Sequence, residues 1–319
     1  MHEAVRDAPR GYARRVVIEV PAELAASQAR FEGEAGRAFV AALPATAAGF
    51  LARWGLRRTG PALHGMTALV LPVVREADGV RAALKLQLIT DESAGEALAL
   101  RAWDGGAAVR LLAHGADGAT GALLVEAADP SRDLDALPAR EAVAEIGRLL
   151  ARLTSAPAPA GLRTLGDVTA RMLAEAAGVP AEAPSSGLLR ECAAVVREVA
   201  GEPGDRLLHW DLHFQNVLGS RRDDGGSRRD DGGWLAIDPK PLAGYPGFEL
   251  YPALRNRFDP GDVLWRFDLL TETLGLDADR ARARAWTLAR VLQDGLWAWR
   301  DGEALGDGET FVGRTLLAR

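Results

Sequence analysis

The sequence predicts an α+β chain in two parts, a small β-rich first part and a larger, mostly helical second part. Three observations predict it. Between Trp54 and Ile89, apolar runs alternate with glycine-bearing turns. From Ala128 onward, apolar residues recur at helical spacing. Two polar strings, HWDLHFQN (209–216) and IDPKP (237–241), then interrupt the helical part beside short apolar runs.

Taken in order, residues 1–20 form a loose start with a short strand, ARRVVIEV. Residues 31–54 carry a helical pattern interrupted at Pro44, where proline suits the first turn of a second helix. WGLRRTG, MTALVLPVV and GVRAALKLQLI are three β-rich runs, parted by turns at Gly60-Pro61, Gly65 and Asp78-Gly79. Asp-Gly between apolar runs signals a hairpin. DESAGEALALRAW is a helix with Asp91 or Ser93 near its cap, and AAVRLLAHGADG with GALLVEAA makes a second hairpin-like pair. The boundary between the two parts falls at residue 126, so that they span 1–126 and 127–319. Helices follow at 138–153, 162–177, 187–200, 261–274, 277–300 and 309–317. The short runs 217–218 and 234–237 flank a tandem repeat, SRRDDGG at 220–226 and again at 227–233. It holds nothing apolar to bury and predicts an exposed connector. Lengthening such a loop is cheap, about 0.6 kcal/mol per doubling.

Composition excludes several function classes. A net charge of −6 lacks the basic footprint of a nucleic-acid binder. An apolar fraction of 48% supports a sizeable core. Cys192 is the single cysteine, on an apolar helix face, so no disulfide framework exists. No run approaches eighteen unbroken apolar residues, and the N-terminus has no secretory apolar core. The expectation is a cytoplasmic monomer with no membrane partner. Only Lys85 and Lys240 are lysines among 38 basic residues. In an arginine-biased chain, a retained lysine marks a place where a planar fork does not serve.

The two strings have the pattern of a phosphoryl-transfer site. Asp211, on a loop after the apolar run RLLHW, is placed to orient an attacking hydroxyl. Asn216 follows five residues on, and Asp238 ends the run WLAI. An amide oxygen and a carboxylate are hard ligands suited to Mg²⁺. His209 and His213 stand at i and i+4, but no Glu lies between them as a zinc site would need, and they are expected to brace the loop. On the nucleotide side, Lys85 sits among leucines, where a charge is costly without partners. An ATP phosphate and the carboxylate of Glu96 supply them, with Glu92 the second choice. The turn at Gly65 would cover the phosphates, and residues 123–127, with Glu126 and Ala127 at their end, form the hinge that reads adenine. For a cationic, polyhydroxylated acceptor the C-terminal helices offer Asp259, Asp268, Glu272 and Trp299, acids beside an aromatic.

These residues resemble the aminoglycoside phosphotransferases, a family with the bilobal protein-kinase-like fold, and within it the streptomycin 6-kinase and hydroxyurea kinase branch. The likeness covers about Trp54 to Asn256. The HxDxHxxN loop belongs to the wider kinase-like superfamily; Trp210 and the DPKP continuation point to the branch, since many relatives have Gly at the Trp210 position and no Lys at the Lys240 position. The resemblance implies ATP and Mg²⁺, Asp211 as base, Asn216 and Asp238 as metal ligands, and Lys85 with Glu96 as the ATP-phosphate pair. It implies phosphorylation of a hydroxyl on a guanidinium-bearing aminocyclitol such as streptomycin. The alternatives are another small hydroxylated metabolite, hydroxyurea, or a non-catalytic ATP-binding scaffold. The departures are the repeat and a weak phosphate-covering turn.

Overall fold

The structure is a computed structural model that describes residues 18–222 and 233–319. Residues 223–232, which hold most of the SRRDDGG repeat, and most of ARRVVIEV lie outside the described residues. The chain divides into two compact units. The first comprises the described residues up to Leu88 together with Asp117–Ala122, and the second comprises Ile89–Ala116 and Leu123–Arg319.

In the first unit, α1 (Ala22–Phe31) and α2 (Gly33–Arg53) precede β1 (Leu56–Arg58), β2 (Leu63–His64), β3 (Ala68–Arg75) and β4 (Arg81–Leu88). The strands pair antiparallel. β4 runs along one edge of β3, with Val70 opposite Lys85, while β1 and β2 share the other edge. Asp78-Gly79 makes the β3–β4 hairpin, with Gly79 at φ +73°. Leu69, Leu71, Leu84 and Leu86 are fully buried.

The helical region differs from the expectation in two ways. α1 is an additional helix, and α2 runs unbroken through Pro44. An interior proline loses one hydrogen bond and crowds the preceding turn. Here a continuous buried stripe of Phe39, Leu43, Ala47 and Phe50 packs the helix on α1 and the strands, and that tertiary burial holds it together. α2 is the one described helix with the length and hydropathy to cross a membrane, but this stripe faces protein.

The second unit contains α3 (Glu96–Trp103), β5 (Leu111–Asp117), β6 (Thr120–Glu126), β7 (Asp129–Asp133), α4 (Ala139–Leu153), α5 (Leu165–Ala176) and α6 (Ser186–Val199). Asp117–Ala122, which is the end of β5, the turn and the start of β6, belongs to the first unit. Then come β8 (Arg206–Leu208), β9 (Val217–Gly219), β10 (Trp234–Ala236), β11 (Leu242–Gly244), α7 (Tyr251–Arg255), α8 (Val263–Thr273), α9 (Arg280–Arg300) and α10 (Asp307–Leu317). α3 clusters here rather than with the strands before it. The helices fall within a few residues of their predicted spans because their apolar stripes are strong: α4 buries Ala142, Val143, Ile146, Leu149, Leu150 and Leu153. α9 is buried nearly all round and packs against α5, α6 and α10.

Two small sheets position the site. β10–β9–β7 is antiparallel, and the Ser220 N–H donates to the Gly233 carbonyl (2.7 Å) at the base of the repeat-bearing connector. β11 pairs antiparallel with β8, Leu242 opposite Leu208. The first sheet delivers Asp238 and the second delivers the 209–216 loop, so both strings leave strand ends into one region.

Candidate active site

His209 is the keystone of the loop. It is fully buried, stacked 6.1 Å from Trp103. Its Nε2 donates to the Ile237 carbonyl (2.9 Å) and its Nδ1 accepts the Asp211 N–H (3.3 Å). One nitrogen donating and one accepting is the neutral imidazole. Burial pulls its pKa down to about 4 although Asp211 pulls it up. The expected bracing role is therefore what this histidine does, and it is no metal ligand.

Asp211 follows, its side chain 24% exposed. Its carbonyl accepts the Asn216 Nδ2–H (2.8 Å) and the His213 N–H (3.0 Å). The Ile237 N–H donates to the Asn216 carbonyl (2.9 Å), which brings Asn216 beside Asp238. Anchored through its amide nitrogen, Asn216 retains its amide oxygen as a ligand. That oxygen and the Asp238 carboxylate are the hard donors Mg²⁺ takes, in the small number that leaves room for water and phosphate. Among the described residues no cluster of three or more His, Cys, Asp or Glu could hold a metal. This pair fits magnesium shared with a phosphate and does not fit an all-protein metal cage.

Two residues here hold left-handed backbone: Trp210 at φ +69° and Asp238 at φ +57°. For non-glycine residues this costs on the order of 1–3 kcal/mol each, and surrounding contacts impose it. The Trp210 N–H donates to Glu249 Oε1 (2.8 Å). Its ring stacks under the Arg163 guanidinium (3.8 Å) and meets Phe248 edge-on (5.8 Å). Glycine would adopt this backbone without strain, and tryptophan here offsets the strain by packing. Glu249 is fully buried, and burial raises its carboxyl to about 7 despite the Trp210 N–H and Arg290. Gly247 sets it in place: a Cβ there would come within 2.8 Å of the Ala283 backbone.

Lys240 is tied to this brace through Arg163. Its Nζ is 2.9 Å from Asp211 Oδ2 and 4.0 Å from Glu92 Oε2. Its own N–H donates to the His209 carbonyl (3.0 Å), and its carbonyl accepts from Arg163 Nη2 (3.0 Å). Burial lowers its pKa, but Asp211 and Glu92 more than offset this, and the net shift is upward.

The remaining predicted residues fall in several places. Lys85 lies buried on β4 in the first unit, and Glu96 is buried at the start of α3 in the second. Gly65 is an exposed turn residue whose Cβ position is open. Glu126 ends β6, accepts the Arg110 N–H and pairs with Arg222; these two hold its carboxyl low against burial. Ala127 follows it in the β6–β7 connection. The four acceptor candidates do not converge. Asp259 caps a short turn through the Gly261 N–H (2.8 Å), Asp268 pairs with Arg280 and Arg319, Glu272 is exposed, and Trp299 packs on the core. A cavity of about 220 Å³ instead opens beside Trp210, lined by Asp91, Glu92, Arg163, Glu175, Gln293 and Trp297 among others. Glu175 there is bound to Arg300.

Comparison with known proteins decides the family. A profile of the aminoglycoside/hydroxyurea antibiotic resistance kinases matches residues 53–302. The chain belongs to this family. It is 59% identical to the hydroxyurea phosphotransferase of Kitasatospora aureofaciens, over 97% of this chain and 90% of that one. It is 48% identical to the streptomycin 6-kinase of Streptomyces glaucescens, over 91% and 94%. Among solved structures, a ternary complex of aminoglycoside phosphotransferase APH(4)-Ia with ADP and hygromycin B aligns with TM-score 0.57 at 14% identity, over 85% of this chain and 97% of that one. A choline/ethanolamine kinase family protein from Mesorhizobium loti aligns at 0.52 with 21% identity, over 82% and 87%. The fold is protein-kinase-like, and this family member is a small-molecule phosphotransferase. Arg163 and Glu249, which support the loop, carry no local sequence signal; Glu92, the second choice as partner of Lys85, lies 4.0 Å from Lys240, whose odd retention hinted at its place.

Proposed function

We propose that the chain is a cytoplasmic, monomeric, Mg²⁺- and ATP-dependent O-phosphotransferase that phosphorylates a hydroxyl of streptomycin or a similar cationic aminocyclitol. The observation that carries it is the convergence of Asp211, Asn216 and Asp238 on one braced loop pair. Asp211 takes the role of orienting the acceptor hydroxyl and accepting its proton as the O–P bond forms. Asn216 and Asp238 would hold Mg²⁺, which neutralises charge on the transferred phosphate. Lys85 and Glu96 serve the ATP phosphates, Gly65 the covering turn, and Glu126 with Ala127 the adenine hinge. The acceptor is assigned to the cavity beside Trp210, where Asp91 and Glu92 suit a guanidinium and Trp297 offers a ring face. These replace Asp259, Asp268, Glu272 and Trp299, which line no part of it.

A second acceptor, hydroxyurea, is favoured by the higher identity to the Kitasatospora enzyme, 59% against 48%. The test is ADP release with Mg·ATP and each acceptor in turn. Streptomycin-dependent release supports the first assignment, and hydroxyurea-dependent release alone replaces it with the second. Absence of release with either, across a wider panel of aminocyclitols, removes the acceptor assignment.

A further inference from the structure

We propose that Lys240 is a positioning residue for the transfer: it binds one oxygen of Asp211 and so presents the other to the acceptor hydroxyl. The inference deepens the phosphotransferase reading and rests on it. A carboxylate on a loop rotates about two bonds, and only some orientations aim an oxygen at a hydroxyl. Among the contacts of Asp211, its backbone carbonyl is held by Asn216 and its N–H by His209, while its Oδ2 is held by Lys240 at 2.9 Å. A lysine is a compact point charge and suits contact with a single oxygen, whereas an arginine fork tends to take both. That is the place where an arginine-rich chain would keep a lysine.

Lys240 is itself held at its backbone from both sides. Its N–H is tied to the His209 carbonyl, within the loop that carries Asp211, and its carbonyl to Arg163. Arg163 in turn lies 3.8 Å over the Trp210 ring. Trp210 and Lys240 are therefore parts of one structure, linked through Arg163. Glu92, 4.0 Å from the ammonium, joins that structure to the wall of the acceptor cavity. An acceptor settling against Glu92 would touch the group that aims Asp211, so binding and alignment would be coupled.

A double-mutant cycle on turnover tests this, with Mg·ATP affinity measured for every variant. Lys240→Met is expected to lower kcat about 100-fold, the scale of a misaligned reacting group, with the Kd for Mg·ATP changed less than about threefold. In the Asp211→Asn background the same change is expected to cost nothing further, since residues acting as a unit are not additive. Lys240→Arg keeps the charge but brings a fork that takes both oxygens, so it is expected to bind Mg·ATP as wild type does and to turn over at least about tenfold more slowly. The proposal is overturned if Lys240→Met stays within about threefold of wild type, or if the two losses multiply, as they would for independent structural damage. If Lys240→Met fails to bind Mg·ATP, the decision passes to Lys240→Arg: turnover at least about tenfold below wild type with nucleotide affinity kept supports the proposal, and turnover closer to wild type than that overturns it. Wild type without transfer to any acceptor would remove the underlying reading and this proposal together.

Discussion

Replacing His209 with glutamine should flatten one part of the acid response of the fold. His209 titrates near 6.5 when unfolded but at about 4 when folded, because burial disfavours the imidazolium. Protonation would also remove the Nδ1 acceptor that the Asp211 N–H uses. A folded pKa below the unfolded one means the unfolded chain binds the extra proton between these values. The stabilising contribution is thus complete above about pH 6.5 and is lost as pH falls toward 4. The fall from 6.5 to about 4 corresponds to about 3 kcal/mol. Glu249 has the opposite slope over part of this range, so the wild-type curve alone mixes the two. The informative quantity is the difference between wild type and His209→Gln, in which Glu249 cancels. Glutamine retains an N–H for the Ile237 carbonyl and carries no titrating charge. Urea unfolding followed by tryptophan fluorescence at pH 7, 6, 5 and 4 should show the wild-type advantage shrinking by about 3 kcal/mol across the series. A difference that stays constant within about 0.5 kcal/mol would refute the buried, neutral His209 on which the loop description depends.

Glu249→Gln should show the reverse sign. Its folded pKa of about 7 lies above the ordinary 4.5, so the wild type loses stability as pH rises from 4.5 through 7. The glutamine variant should gain about 3 kcal/mol relative to wild type between pH 4.5 and 8, measured by the same denaturation. Trp210→Gly should relieve about 1 kcal/mol of left-handed strain but lose the ring packed against Phe248 and Arg163. Aromatic truncation costs about 3–5 kcal/mol, so a net loss of about 2–4 kcal/mol is expected, and a variant as stable as wild type would contradict the packing argument.

How much of this was legible in the sequence follows from the range of the interactions. The grouping of Asp211, Asn216 and Asp238 was legible in the HWDLHFQN and IDPKP strings because it is set within a few residues and between adjacent short strands. The helices of the second unit were legible because stripes such as that of α4 repeat for several turns. α1 was not: it is a short helix with only Leu24 and Gln28 buried, too few to set a period. Pro44 misled because local proline chemistry was outweighed by burial on both sides of it. Arg163 reaches the Lys240 carbonyl from 77 residues away, and Glu249 reaches Trp210 from 39, so neither pairing has a local signal. The proposed acceptor cavity has no local signal for a related reason. Acids and tryptophans along α8 and α9 look alike in sequence, and only packing shows Asp268 paired to arginines while Glu92 and Trp297 face a cavity.

In the proposed reaction Asp211 orients an acceptor hydroxyl for transfer of the ATP γ-phosphate. The most direct measurement is single-turnover phosphate transfer by Asp211→Asn with saturating Mg·ATP and the acceptor that wild type uses, alongside nucleotide affinity. The expected rate is at least about 100-fold below wild type with the Kd for Mg·ATP within about threefold, since the change removes only proton acceptance and orientation. A variant that transfers phosphate at close to the wild-type rate would contradict it.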